Sequence, residues 1–220
     1  MMRASILLTA LILILQSCAT LTDSPKYQLA DSYYEFRQSG SSYKKVFIVT
    51  DQDSIKIYSL NGEPLDVVIP SADEYFRKRS FDVDVMTILM KYRPSQPSLP
   101  QQLSTNFNGN VYLGYRTDRF QLDFEKTPAG TRKTLRHTAI TYGIFGGLGS
   151  TAVNPWTTNN NITDEYDGVV LSYGFAFMAG INALTVGVGL GWDNLAGRDK
   201  DVWIYQNKPW LGLTLGLNLN

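Results

Sequence analysis

The sequence predicts an all-β protein whose later strands form an antiparallel, up-and-down transmembrane β-barrel of about six to eight strands. Large apolar residues alternate with small or polar residues through six runs of nine or more residues after residue 79. In the last four runs the second face carries Gly, Ala, Ser and Thr and almost no charge. Extended helical periodicity is absent after residue 20. A soluble sheet with such faces would be poorly solvated, whereas lipid on the large face suits the pattern.

The first element in chain order is a targeting segment. Arg3 precedes the apolar run Ile6–Leu15, which is shorter than the roughly 20 residues that a membrane-spanning helix needs. It is followed by "LQSC", and Cys18 is the only cysteine of the chain. The stretch resembles the lipobox of bacterial lipoproteins. We therefore expect a lipoprotein signal peptide over residues 1–17 and lipidation of Cys18.

Residues 18–78 are expected to form a small, water-soluble, β-rich segment. Short half-apolar strands are predicted at Val46–Thr50 and Ser54–Leu60, and a third lies in "YQLADSYYEFRQ". Together they predict an N-terminal periplasmic β-meander. The best short helical pattern is Ala72–Ser80.

Residues 79–220 are expected to form the barrel. The long alternating runs are of the length that a tilted transmembrane strand requires, roughly 9–11 residues. Phe120 and Leu122 fall out of register with Tyr115, which predicts a bulge at 117–119 before a turn at 128–130. The outward-facing residues of the six runs are expected to lie within Phe81–Leu89, Phe107–Tyr115, Ile140–Leu148, Val169–Ile181, Leu184–Trp192 and Leu211–Leu219.

The lumen is expected to be filled rather than open. Asp82, Asp84 and Arg116 fall on the inner face and should pair there, because unpaired buried charge is costly. A second set falls on the inner face of the fifth run and is expected to form a hollow into which larger side chains pack. This set is Gly187, Gly189 and Gly191. The side chains expected to fill it are Met86, Ile88, Met90, Tyr92 and Tyr112.

The connections predict an orientation. Asn182–Ala183 is a tight turn, whereas the links 150–166 and 194–207 are long and polar. Outer-membrane barrels have short periplasmic turns and long extracellular loops. All four Trp fall at the long-loop end, as in an aromatic girdle. The residues expected to contact partners are Trp156, Tyr166, Trp203 and Tyr205.

The number of strands in the barrel is left open between two arrangements. The N-terminal hairpin adds two strands to give an eight-stranded monomer, which we favour, or several protomers pool their strands into one larger barrel.

Several functional classes are disfavoured. The formal net charge is zero, so no nucleic-acid partner is expected. His137 is the only histidine, and no Ser/Asp pair is placed beside it, so a catalytic triad is not predicted. No ordered metal-ligand spacing occurs. We expect no enzyme activity, no metal and no cofactor.

With "LQSC" and the alternation over residues 79–220, the chain resembles a small outer-membrane β-barrel lipoprotein of Gram-negative bacteria. The chain departs from the class by ending "LNLN" rather than in an aromatic residue. The resemblance implies a lipid-anchored location in the outer membrane, with the N-terminal segment in the periplasm. It implies a structural or binding component of a cell-envelope assembly, with outer-membrane lipid and other envelope proteins as partners. The alternative is a pore or channel subunit.

Overall fold

The computed structural model describes residues 28–38, 41–51, 54–65, 74–97, 99–128, 130–182 and 184–217. Apart from two single 3₁₀ turns, Trp156–Thr158 and Arg198–Asp201, every regular element in these ranges is a β-strand. The predicted signal peptide and Cys18 lie outside the described residues. The strands are β1 Ser32–Gln38, β2 Lys44–Asp51, β3 Ser54–Tyr58, β4 Glu74–Arg93, β5 Gln102–Ser104, β6 Asn108–Thr127, β7 Gly130–Val153, β8 Tyr166–Ile181, β9 Leu184–Leu195 and β10 Pro209–Leu217.

Six of these strands close into a ring. The order is β4–β6–β7–β8–β9–β10, every neighbouring pair is antiparallel, and β10 pairs back onto β4. The prediction of an all-β, antiparallel fold that closes with about six to eight strands is confirmed, since six strands of the ten-stranded sheet form the ring. Because β10 closes on β4 of the same chain, no second protomer supplies a strand to this ring. We refer below to the turn end of the ring, at Asn182, and to the loop end, at the segments 154–165 and 196–208.

The N-terminal strands lie outside the ring. β1 pairs with β2 and with residues 74–77 of β4, whereas β10 pairs with residues 85–92 of β4. The preference for an eight-stranded ring is therefore wrong. β4, β6 and β7 are 20, 20 and 24 residues long, so they continue past the turn end and provide an edge for β1. β4 also runs across the expected domain boundary between residues 78 and 79.

The β6 strand shows no bulge at 117–119. Its pairing with β4 and β7 is continuous through this region, and Arg116, Asp118, Phe120 and Leu122 all face the same side. The surroundings of β6 change along the strand, whereas its pairing register does not. Within the ring the outer face is apolar, whereas beyond the turn end the inner face packs against the N-terminal sheet. Phe120 and Leu122 lie in that second core. The helical pattern at 72–80 is likewise wrong, since β4 begins at Glu74.

The bulge of the ring lies instead in β4. Leu213 pairs with Met90 and Thr214 pairs with Ile88, so Leu89 has no partner residue on β10. Asp82, Asp84, Met86 and Ile88 are buried before the bulge, and Lys91 and Arg93 are buried after it. An extra residue on one strand re-aims the side chains that follow it. The bulge therefore turns two cations into the ring and Tyr92 out of it.

The interior is filled by three apolar clusters. The first joins the N-terminal sheet to the extensions of β4 and β6, the second lies inside the ring, and the third lies under the loop-end segments. Members of the first are Leu29, Tyr34, Phe36, Val46, Ile48, Ile57, Phe76, Phe120 and Leu122. The second comprises Met86, Ile88, Tyr112, Phe145, Ala176, Met178 and Trp210. The third comprises Val153, Val170, Leu195, Trp203 and Tyr205.

Candidate functional site

The outer face of the ring is an exposed apolar surface, which we name the apolar belt. Its side chains alternate strictly with buried ones along β8, and along β9 with positions that are buried except for Gly187. Several are about as exposed as they could be on a free sheet surface, such as Phe81 at 68% and Phe175 at 58%. The belt comprises Phe81, Val83, Val85, Leu89, Tyr92, Val111, Leu113, Tyr115, Ile140, Tyr142, Ile144, Leu148, Val169, Leu171, Tyr173, Phe175, Phe177, Ile181, Leu184, Val186, Val188, Leu190 and Leu211.

A charged layer separates the first and second apolar clusters at the turn end. Arg116 donates from Nε to Asp118 Oδ1 at 2.8 Å, and its Nη1 lies 3.7 Å from Asp82 Oδ2. His137 Nε2 lies 2.8 Å from the same oxygen of Asp118. Asp84 is buried on this face as well. The structure thus places Asp82, Asp84 and Arg116 inside the ring, where the sequence placed them.

The pair formed by His137 and Asp118 is sealed from solvent, since the two residues are 2% and 4% exposed. The His137 ring packs 4.7 Å from the ring of Phe120. Thr141, the nearest inward hydroxyl on β7 above the pair, is hydrogen-bonded to Tyr112 at 2.8 Å. The arrangement joins strands β6 and β7 and leaves the imidazole buried among the described residues.

A second charged layer lies at the loop end, and sequence reasoning missed it. Lys91 Nζ donates to both carboxylate oxygens of Asp193, at 2.9 and 3.0 Å, and to Ser172 at 3.0 Å. Arg93 forms an ion pair with the same carboxylate. Asp193 is fully buried and also accepts the Ser172 hydroxyl at 2.6 Å. The only signal in the sequence is charge at the ends of the long alternating runs, and the inward orientation depends on the bulge at Leu89.

Aromatic rings cover the two cations. Lys91 Nζ lies 4.6 Å from the centroid of Trp210, and Arg93 Cζ lies 5.3 Å from that of Trp203 and 4.9 Å from that of Tyr205. Cation–π contacts strengthen where water is excluded. Trp210 is 1% exposed, so the expectation that all four Trp form an outer girdle is wrong for Trp203 and Trp210. All four do lie at the loop end.

The partner-contact residues predicted from the sequence divide into two groups. Trp156 is 74% exposed, and Tyr166 is partly buried. Trp203 and Tyr205 are each 2% exposed because they pack over Arg93, so they present almost no surface to a partner, and this part of the prediction is corrected. Burial raises the pKa of the Tyr205 hydroxyl, and Arg93 beside it acts in the opposite direction.

The loop-end segments 154–165 and 196–208 form a compact structure that we name the cap. Asn154 and Thr157 exchange two hydrogen bonds of 3.0 Å, and Ile204 N donates to Thr157 O across the segments at 3.0 Å. Tyr166 donates to Asp199 at 2.7 Å, which is the largest reason that the pKa of Asp199 is lowered. These bonds join both segments into one surface above the ring.

A cleft of about 320 Å³ opens between the cap and the link from β4 to β6. None of the described residues that line it is acidic. Arg93 and Tyr205 line it, together with hydroxyl and amide groups and the exposed ring of Trp156. The remaining lining residues are Leu99, Pro100, Gln102, Ser104, Asn106, Thr151, Ala152, Asn154 and Thr157. Such a lining suits a partner segment that combines polar groups with an apolar edge.

Neighbouring side chains occupy the space beside the inward-facing glycines of β9. A Cβ on Gly191 would meet the Trp210 ring, one on Gly187 would meet Met178, and one on Gly189 would lie within 3.6 Å of Phe145 and Thr214. The hollow that the sequence predicted is present, but it is filled largely from β7, β8 and β10. Met90 is only partly buried and Tyr92 is 43% exposed, because the bulge precedes both.

Deleting Leu89 is expected to leave the ring intact. Without the extra residue, Met90 takes the place of Leu89, and simple alternation keeps Lys91 and Arg93 turned toward Asp193. Deleting Val186, which has a partner residue on both neighbouring strands, should instead turn the later side chains of β9 over and place Asp193 on the apolar belt. The measurement is the fraction of protein that resists unfolding by SDS without heating. Equal loss of resistance in the two deletion variants would show that Leu89 is not an extra residue of the ring.

Comparison with protein-family models, with curated proteins and with solved structures finds no match to this chain. The described residues contain no group of three or more His, Cys, Asp or Glu side chains placed to hold a metal ion. In the described ranges no helix is long and apolar enough to cross a membrane. The candidate function therefore rests on the apolar belt, the two charged layers and the cap.

Proposed function

We propose that this chain is a lipid-anchored outer-membrane protein that acts as a structural or binding component of a cell-envelope assembly, with the cap as its binding face. One observation carries the membrane location: the ring exposes its apolar side chains and buries its charges. Each belt residue leaves about half of its surface exposed, so the belt measures on the order of 2,000 Å². Soluble monomers expose contiguous apolar patches of a few hundred Å².

The dimensions of the belt support the proposal. On β8 the outward apolar residues run from Val169 to Ile181, which is twelve residue steps. At about 3.4 Å per residue and a strand tilt of about 40°, they cover about 31 Å along the ring axis. The hydrocarbon layer of a bilayer is about 30 Å thick. The belt therefore has the height that a bilayer requires.

The direction of the chain supports the proposed anchor. Both the start of β4 and the end of β10 lie at the turn end, where β1 also pairs with β4. Ten residues connect Cys18 to Leu29, a distance of up to about 37 Å when extended. A lipid on Cys18 would thus enter the leaflet nearest the turn end, which for a lipoprotein exported to the outer membrane is the periplasmic leaflet.

The proposal is tested by gel migration with and without heating, after purification in detergent and after transfer into lipid bilayers. A closed membrane ring should migrate faster before heating than after it, and it should float with vesicles through a carbonate wash. Protein that is soluble without detergent and fully removed from vesicles by carbonate would contradict the membrane location.

The cap is expected to bind a partner through Trp156. In native gels of gently solubilised membranes, wild-type protein should run as part of a larger assembly. Trp156→Ala should release the chain from the assembly. The Trp156 side chain is 74% exposed, and burying a Trp side chain at an interface raises the affinity several-fold. Leu60→Ala, which removes an exposed apolar side chain from the turn after β3, is the control. If the assembly persists in Trp156→Ala, the cap is not its binding face.

The alternative from the sequence, a pore or channel subunit, has less support. Small side chains in β8 and β9 favour an open lumen, but the space they leave is occupied by Trp210, Phe145 and Met178. The ring also closes without a second protomer. We therefore expect no conductance in planar bilayers. Reproducible voltage-dependent steps from the purified chain would favour the pore alternative.

A further inference from the structure

We propose that five outward-facing cations at the turn end, Lys45, Arg77, Arg79, Arg119 and Arg136, form a basic collar that binds the phosphate groups of anionic phospholipids. The inference rests on the membrane location proposed above and names the lipid class that the turn end recognises. Four of the five lie on β4, β6 and β7, directly past the apolar belt. The fifth lies on β2 of the N-terminal sheet.

The collar begins where the belt stops. On the outer face of β4, Arg79 lies two residues before Phe81, and on β6 Arg119 lies four residues after Tyr115. With a strand tilt of about 40°, these spacings put the two arginines about 5 and 10 Å beyond the last apolar ring. The headgroup region of one leaflet is about 5–8 Å thick. Arg side chains place their charge at that level while their stems lie along apolar surface.

The pairing register places three cations and one carboxylate side by side on this surface. Arg77 and Arg119 lie directly opposite each other on neighbouring strands, an arrangement that destabilises a sheet by itself. On the other side of Arg77, the partner is Glu35, which in turn lies opposite Lys45. One carboxylate therefore serves three cations in a row. An external anion would relieve the repulsion.

A groove of about 540 Å³ runs along this surface. Its lining contains five cationic residues and one carboxylate, that of Glu35. Tyrosines lie between the cations: Lys45 Nζ is 5.5 Å from the ring of Tyr33, and Arg77 Cζ is 4.2 Å from that of Tyr43. Tyr33 is 57% exposed. Tyr and cationic side chains together suit the boundary between acyl chains and headgroups.

The loop-end segments carry no excess of cations, so the collar is a local cationic surface next to the apolar belt. Residues 154–167 carry three acidic and no basic residues, and residues 196–208 carry three basic and two acidic ones, a sum of −2 for the loop end. The collar carries five cations beside Glu35 and Asp123, the latter paired with Arg136 at 3.0 Å. The outward-facing cations of the collar therefore lie beside the apolar belt at the turn end, and the loop-end segments offer no such cationic surface.

The test measures lipid selection by the full-length protein in phosphatidylcholine bilayers. Trace spin-labelled phosphatidylglycerol and spin-labelled phosphatidylcholine report the lipid immobilised at the protein surface. We expect wild-type protein to prefer phosphatidylglycerol by about fivefold or more, and this preference should fall as salt rises. Arg79→Gln/Arg119→Gln should lose most of it. Lys200→Gln/Lys208→Gln, which removes the same charge from the exposed cap, should retain it.

Three results would overturn the collar. Equal immobilisation of both lipids by wild-type protein shows that there is no selection. Equal loss in the collar and cap variants shows an effect of net charge alone. Loss of selection in inorganic phosphate, but not in chloride of the same ionic strength, shows an ion site rather than a lipid surface. Absence of any immobilised lipid would overturn the membrane location and this inference together, whereas immobilised lipid without selection overturns this inference alone.

Discussion

Replacing Asp193 by Ala should cause the largest loss of stability of any single side-chain truncation in the ring. Asp193 is the only carboxylate bonded to Lys91 and Arg93 among the described residues, and all three are buried. Truncation leaves two cations in the interior without their counter-charge. Removing one partner from a buried ion pair costs about 3–5 kcal/mol. Unfolding in urea from detergent or bilayers, followed by Trp fluorescence, measures the change.

Two further variants separate charge from shape at this position. Asp193→Asn keeps the size of the side chain but not its charge, and it should lose nearly as much stability as Asp193→Ala. Asp201→Ala removes an exposed acid from the cap and should change the free energy of unfolding by less than about 0.5 kcal/mol. If Asp193→Ala is no more harmful than Asp201→Ala, the loop-end charged layer does not stabilise the ring.

Replacing Gly187 by Ala should also destabilise the ring, for a steric reason. A Cβ at this position would lie inside van der Waals contact with the carbonyl oxygen of Phe177 on β8, and under 3.0 Å from Met178. A backbone atom cannot move aside as a flexible side chain can. Overpacking of this kind typically costs about 1–3 kcal/mol. We expect a loss at or above the upper end, measured by the same urea unfolding.

Gly146 on β7 provides the matched control. It faces outward, and the nearest atom to its Cβ position is 4.0 Å away. Gly146→Ala should therefore leave the free energy of unfolding unchanged or raise it slightly, because Ala restricts the unfolded chain more than Gly does. Gly143→Ala, whose Cβ would meet the Leu113 carbonyl, should behave like Gly187→Ala. Equal stability of all three variants would show that glycine is not needed for the tight curvature of the ring.

Much of the ring could be predicted from the sequence because its dominant signal is a simple alternation. The outward sets of β8 and β9, and the inward placement of Asp82, Asp84 and Arg116, follow from a period of two residues. The closure of β10 on β4 does not, since alternation gives no information on which strands pair. Alternation alone therefore does not determine the number of ring strands.

The missed features have two physical causes. A bulge reverses the direction of every later side chain of its strand. Plain alternation, which leaves out the bulge at Leu89, therefore does not predict that Lys91 and Arg93 face inward. The other cause is a change of surroundings along one strand. An apolar exterior along all of β6 would require a shift in register at Phe120 and Leu122, whereas beyond the turn end the apolar side is the inner one. The preference of Trp for the membrane boundary predicts a girdle position for Trp203 and Trp210, but their rings cover buried cations instead.

Photolabelling from within the bilayer tests the central claim most directly, because it needs no change to the chain. A lipid carrying a photoreactive group in its acyl chain labels only residues that face the hydrocarbon, and mass spectrometry of β8 peptides locates the label. The proposed ring predicts label on Leu171, Tyr173, Phe175 and Phe177, and none on Ser172, Gly174, Ala176 or Met178. Absence of label from the outward set, or label on both sets alike, would contradict a membrane-spanning ring with a filled interior.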